Sequence, residues 1–268
     1  MTNITFGQYF PTNSIIHRLD PRTKILSAIG CIITIFLCKN AVNLALMSAF
    51  VLTSIKLSDI SVKIYLKSLK MVLFVVIVTS VLNVFYGQGE PIFQLGFMCI
   101  TLDGIKNSIY IAVRIFLLIL VSSLLTFTTS PTDLTDGLGQ LLKFLYKFKI
   151  NVYDLAMMMS IALRFIPTLL EETTKITNAQ KARGADLESG NLKQRIKALI
   201  PILVPLFVSA FRRAYDLAVA MECRCYIGGK TRTRMKILKF KPADMWTFVV
   251  LILLFSLVLT ANLVGIFW

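Results

Sequence analysis

Two arginines in this sequence stand in matched settings. Arg183 lies in Lys181-Ala182-Arg183-Gly184-Ala185-Asp186, and Arg224, 41 residues further on, lies in Glu222-Cys223-Arg224-Cys225-Tyr226. A guanidinium between small neighbours can enter a groove without steric conflict, and its planar fork can hold a carboxylate through two parallel hydrogen bonds. One such arginine at a helix end is a solvated cap that complements the negative pole of the helix dipole. Two at the ends of two long helices read as a paired docking device.

Other residues invite chemistry and do not assemble it. Cys223 and Cys225 have no histidine or further cysteine near them in the sequence, and His17 is the only histidine in the chain. They read as packed cytosolic thiols rather than zinc ligands. Cys31 and Cys38 read as packing residues of a membrane helix. Gly229-Lys230-Thr231 imitates the end of a phosphate-binding loop, but Arg224 occupies the position of that motif's first glycine and no strand precedes it, which argues against ATP binding by this chain. Arg114 sits one or two turns inside an apolar run, where an arginine snorkels to the interface. Asp154, Arg164, Glu171, Glu172 and Asp216 are expected to pair within or between helices, and Met157-Met158-Met159 to serve as adaptable packing.

The elements that carry these residues belong to a membrane protein. Of 268 residues 56% are apolar and only 16% are charged, and 29 basic residues against 14 acidic ones leave a net charge of +15. A soluble globule does not have this composition. In so apolar a chain the positive excess points to basic loops on the cytoplasmic side rather than to nucleic acid. Met1 to Asp20 is polar and shows no cleavable signal sequence. Apolar runs follow at Ile25–Cys38, Ala41–Ile55, Met71–Tyr86, Ser108–Phe127 and Met245–Trp268. The first two fall short of the roughly 20 residues of a perpendicular span and read as a hairpin of short helices. The third is closed by Gly87-Gln88-Gly89-Glu90-Pro91, which breaks a helix. Lysines and arginines before the first run and between the second and third place those segments in the cytoplasm, and the last span carries the C-terminus outward.

Thr128 to Pro242 holds 19 basic and 9 acidic residues, too long for a loop and too regularly apolar to be disordered. Ser130-Pro131-Thr132-Asp133 starts a helix that runs to about Phe148. Asn151 caps a second, which ends at Gly184. A third runs from about Leu192 to Tyr226, bent at Pro201 and Pro205. Val152–Leu170 has the length of a span, but it contains Asp154 and Arg164, each costing about 2.5–3.5 kcal/mol near a bilayer centre. Helices lying at the membrane surface with charged ends in the cytoplasm fit better. The fold expected is therefore all-α: a polytopic membrane protein of about five transmembrane helices plus long cytoplasmic coupling helices. Its regions are 1–127 with four spans, 128–242 with the coupling helices, and 243–268 with the C-terminal span.

At this point a resemblance becomes specific. His17-Arg18-Leu19-Asp20-Pro21-Arg22-Thr23-Lys24, Ala162-Leu163-Arg164-Phe165-Ile166-Pro167, Ala179-Gln180-Lys181-Ala182-Arg183-Gly184 and Ala220-Met221-Glu222-Cys223-Arg224-Cys225-Tyr226 together resemble the transmembrane T component of energy-coupling factor transporters, ABC-type importers of vitamins and other micronutrients. The resemblance covers nearly the whole chain. It implies two Ala-Arg-Gly motifs at the ends of crossed coupling helices: Ala182, Arg183 and Gly184 form the first, and Cys223, Arg224 and Cys225 the second. Their arginines would dock into grooves of two ABC ATPase subunits. Cys225 stands where the family has glycine, which puts a left-handed turn there in doubt.

The resemblance further implies a non-catalytic subunit of a prokaryotic plasma membrane, with a large cytoplasmic segment and with membrane lipid around it. ATP and Mg would belong to the partner ATPases, with no cofactor or metal on this chain. A small membrane substrate-binding subunit, which the family allows to be exchanged, would select the nutrient. A dedicated cobalt or nickel importer is the alternative within the family. Outside it, a self-sufficient secondary transporter would need midplane ionisable residues or broken helices in a repeated arrangement, and only Arg114 offers itself. A membrane-embedded enzyme would need convergent acids or an activated nucleophile, and the sequence supplies neither.

Overall fold

A computed structural model describes residues 9–85, 91–95, 98–149, 151–185, 191–228 and 238–263. The helices are α1 (Pro21–Leu37), α2 (Ala41–Leu57), α3 (Val62–Phe85), α4 (Leu102–Thr128), α5 (Pro131–Leu141), α6 (Val152–Ala182), α7 (Leu192–Cys223) and α8 (Pro242–Leu263), with a 3-10 segment at Leu142–Phe148. The all-α expectation holds. One short antiparallel hairpin, β1 (Pro91–Leu95) with β2 (Met98–Thr101), precedes α4 and pairs Leu95 with Met98.

Local chemistry fixes the helix starts. The Asp20 carboxylate accepts the N–H of Arg22 at 2.9 Å, with Pro21 in the first helical turn, where its missing donor is not needed. Thr101 Oγ1 accepts from Gly104 N at 3.1 Å, and Ser130 Oγ accepts from Asp133 N at 3.1 Å as its sequence context predicts. Asn191 and Gln194 form a reciprocal capping box at the start of α7.

The apolar runs mark the embedded part of each helix rather than its ends. α3 begins at Val62, not Met71, and α4 at Leu102, not Ser108. Lys63, Lys67 and Lys70 ride on the added turns of α3, because backbone hydrogen bonding does not stop where hydrocarbon does. α3, α4, α6 and α8 are long and apolar enough to cross a membrane, and the chain is a multi-pass membrane protein. α1 and α2 have 17 residues each, and so reach about 26 Å at 1.5 Å per residue. α6 meets the test of length and composition although the sequence reading lays it at the membrane surface. The expected helix to Phe148 divides into α5 and the 3-10 segment, which stops at Lys149 in the left-handed region (φ 63°). α7 ends at Cys223, short of the expected Tyr226; α8 is described as far as Leu263, and the rest of the expected span, 264–268, lies outside the described residues. Gly87–Glu90 and Gly229–Thr231 lie outside the described residues.

The chain forms two compact units. The first runs to Gly137 and resumes at Leu238; the second is Leu138–Ile237. In the first, α1 packs on α4 and α8, and α2 and α3 pack on α4. Ile35, Met47, Val51, Tyr65, Phe127 and Val258 are fully buried there. α1 and α8 approach so closely at Gly30 that a Cβ would meet Leu251 Cδ2 at 2.7 Å. Polar ties close both ends of that contact. Asp244 accepts the N–H groups of Asp20 (2.9 Å) and Lys241 (2.7 Å), joining the starts of α1 and α8 through one carboxylate. At the opposite ends Asn262 donates to the Leu37 carbonyl at 2.8 Å and accepts from Asn43 at 3.0 Å. The second unit is built on α6 packed against α7.

Candidate functional site

The second unit carries both arginine motifs, and the structure ends the two helices in the same way. Arg183 caps α6 with φ −85° and ψ 8°; Arg224 caps α7 with φ −93° and ψ 15°. After α6, Gly184 N donates to Lys181 O at 3.0 Å and Ala185 N to Gln180 O at 3.0 Å. After α7, Cys225 N donates to Glu222 O at 2.9 Å and Tyr226 N to Met221 O at 3.0 Å. Residue for residue, this is one Schellman turn built twice.

The turn requires a left-handed residue directly after each arginine. Gly184 supplies it at φ 85° and Cys225 at φ 53°. The doubt raised by Cys225 is thereby resolved: the cysteine adopts the glycine's conformation, at a cost of roughly 1–2 kcal/mol for an L-residue. At Gly184 an added Cβ would meet nothing within 4 Å, so the demand there is conformational rather than steric. Ala182, Arg183, Gly184, Cys223, Arg224 and Cys225 are all exposed. With its backbone tightly hydrogen-bonded and its side chain free, each turn presents a guanidinium from a rigid base.

Behind the second turn lies a cavity of about 520 Å³ between α6 and α7. Phe165 and Leu169 of α6 face Ala210, Ala214 and Ala218 of α7 across it, and Glu222 and Tyr226 close one end. Tyr226 Oη donates to Met157 Sδ at 2.6 Å, which ties the turn back to the start of α6. In the middle of the pair, Glu172 of α6 accepts from Arg213 Nη2 at 3.1 Å and from Ser209 Oγ, both on α7. Pairing expected of the ionisable residues is met by Glu172 alone of the five among the described residues; Arg164, Glu171 and Asp216 are exposed. The Tyr226–Met157 and Glu172–Ser209 bonds escaped sequence reading because each joins residues distant in the chain.

Arg114 departs from its expected setting. Because α4 begins at Leu102, the arginine lies near the middle of the helix, and its guanidinium turns to the end of α1. It donates to the Cys38 carbonyl at 2.6 Å, stacks on Tyr110 with 4.8 Å from guanidinium carbon to ring centre, and shares that carbonyl with the Tyr110 hydroxyl. It ties the middle of α4 to the last carbonyl of α1, in place of the expected contact with the membrane interface.

A helical multi-pass membrane protein with two copies of one exposed arginine turn on a separate helical unit defines a class of membrane component, and comparison with known proteins narrows it. Residues 12–237 match the family model described as cobalt transport protein, CbiQ. Three curated relatives, each named energy-coupling factor transporter transmembrane protein EcfT, align over most of their length. The protein from Ruminiclostridium cellulolyticum is 49% identical over 91% of both chains. That from Brevibacillus brevis is 51% identical over 91% of this chain and 92% of its own. That from Bacillus subtilis is 45% identical over 96% and 97%. The chain belongs to the CbiQ family and is of the EcfT kind, a transmembrane component of energy-coupling factor transporters.

Proposed function

We propose that this chain is the mechanical coupling subunit of an importer for vitamins or other micronutrients. Two ABC ATPase subunits bind and hydrolyse ATP with Mg, and their closure moves the grooves in which Arg183 and Arg224 are held. α6 and α7 act as levers that pass the motion to a small substrate-binding membrane subunit. The chain itself binds no nucleotide and catalyses nothing.

The observation that carries this reading is the duplicated turn. Two helices that end identically, each with an arginine on a fixed backbone, suit two copies of one kind of groove. Glu172 and its partners on α7 make the levers move together. α7 also leaves Phe207, Phe211 and Tyr215 exposed at four-residue spacing, a stripe suited to a membrane partner. The family description names cobalt, whereas the names of the relatives carry no substrate; a separate substrate-binding subunit accounts for that difference.

The test is co-purification and uptake with Arg183→Ala, Arg224→Ala and the double variant. Truncating a docked arginine is expected to weaken docking by about 2–5 kcal/mol, because its partner carboxylate is left unpaired. Loss of stoichiometric ATPase or of uptake supports the reading. Normal uptake by the double variant overturns it.

A further inference from the structure

Between α2 and α8, over a floor of α1 and α4, the first unit holds a groove of about 420 Å³, within the size range of small-ligand sites. Val51 and Leu57 of α2, Val121 and Leu124 of α4, and Val250 and Leu251 of α8 make its walls apolar. Leu57 and Val250 are exposed along it, so the groove opens sideways from the bundle. In a multi-pass membrane protein that opening faces lipid.

One end of the groove is basic. Lys24, 6% exposed, is the only charged residue in its lining among the described residues. Ile16 and Leu19 line the mouth from the segment before α1, and Arg18 lies between them; Ala243 lines it from α8, two residues after Lys241. Lys241 Nζ donates to the main-chain carbonyl of Arg18 at 3.3 Å, which sets the Lys241 ammonium beside the Arg18 backbone, and both residues are exposed. Lys56 is exposed beside Leu57, and Asp59 is the exposed acid nearby in sequence. Asp20 and Asp244 are buried and occupied by backbone N–H groups. Trp246, 71% exposed, lines the same end one turn into α8, the position of an indole at a membrane interface.

An apolar groove open to hydrocarbon takes an acyl chain, and clustered cations at its mouth select a negative headgroup. We propose that this groove is a site for one anionic phospholipid, with an acyl chain along α2 and α8 and its phosphate on Arg18 and Lys241. The commitment to anionic over zwitterionic lipid rests on the excess of exposed positive charge at the mouth.

Native mass spectrometry of the full-length chain in mild non-ionic detergent tests the site. Phosphatidylglycerol and phosphatidylcholine with identical chains are titrated separately. One phosphatidylglycerol is expected to be retained at roughly thirtyfold lower concentration than phosphatidylcholine, given two headgroup cations. R18Q/K241Q is expected to remove the difference, and Ser54→Phe, which fills the groove from α2, to weaken both lipids. Equal retention of the two lipids by the wild-type chain overturns the proposal, and that comparison needs no variant to fold. So does an undiminished preference in R18Q/K241Q, or displacement of phosphatidylglycerol by inorganic phosphate, which would assign the site to the free anion.

Discussion

Lys24, in the first turn of α1, donates from its ammonium to the carbonyl oxygen of Thr128, the last residue of α4, at 2.8 Å. Fourteen residues along each helix the relation is inverted: Arg114 of α4 donates to the carbonyl of Cys38, the C-cap of α1. The two antiparallel helices thus each neutralise the other's C-terminal carbonyls with a cation, Lys24 buried and Arg114 half-buried. Those carbonyls lack intrahelical partners and carry the negative pole of the dipole. A charge is tolerated within the apolar bundle because it meets that pole.

Removing either cation should destabilise the first unit. Lys24→Met and Arg114→Leu are each expected to cost about 1.5–3 kcal/mol, the range for a hydrogen bond to a charged group. Arg114→Lys should recover part of the loss, since it keeps the charge but not the stacking on Tyr110. In a background with Cys99, Cys223 and Cys225 replaced by serine, a thiol-reactive dye reports unfolding as the buried Cys31 and Cys38 become accessible. An unchanged midpoint in both variants would refute the clamp.

The left-handed residues should respond in opposite directions. Cys225→Gly relieves a strained conformation and should stabilise the end of α7, whereas Gly184→Ala imposes the same strain on α6, each by about 1 kcal/mol. Hydrogen exchange at Cys225 and Tyr226, and at Gly184 and Ala185, reads the two turns separately. Slower exchange in the first variant and faster exchange in the second are expected.

Glu172 and Arg213 should show a measurable but small coupling. Their side chains are 22% and 40% exposed, so solvent screening limits the pair to about 0.5–1 kcal/mol. A double-mutant cycle of Glu172→Gln and Arg213→Met measures it by thermal unfolding. If strictly additive effects emerge, α6 and α7 are not held together by this bond.

His17 should make stability depend on pH. Burial holds its pKa below the ordinary 6.5, against the raising effect of its hydrogen bond to the Phe10 carbonyl. The folded imidazole therefore stays neutral at a pH where the unfolded one takes up a proton. This contribution is complete above pH 6.5 and is lost as pH falls through and below it. Melting temperatures between pH 7.5 and 5 should fall more steeply for the wild-type chain than for His17→Gln.

The sequence by itself determined the helical class, the membrane setting, and both arginine motifs, because apolar period, charge placement and capping residues act locally. It located Ser130 as a cap and Gly184 as a stop for the same reason. It did not determine that Cys225 would take up the glycine's conformation: that choice depends on whether the hydrogen bonds of the turn outweigh the strain, and residue type gives only the strain. Nor did it find the inverted clamps of Lys24 and Arg114 or the shared carboxylate of Asp244. Each of these joins residues from 76 to 224 positions apart, and only packing decides which carbonyl or N–H group a long side chain reaches. Arg114 shows the boundary well. Its charge within an apolar run was plain from the sequence, but its partner exists only where the end of α1 meets the middle of α4.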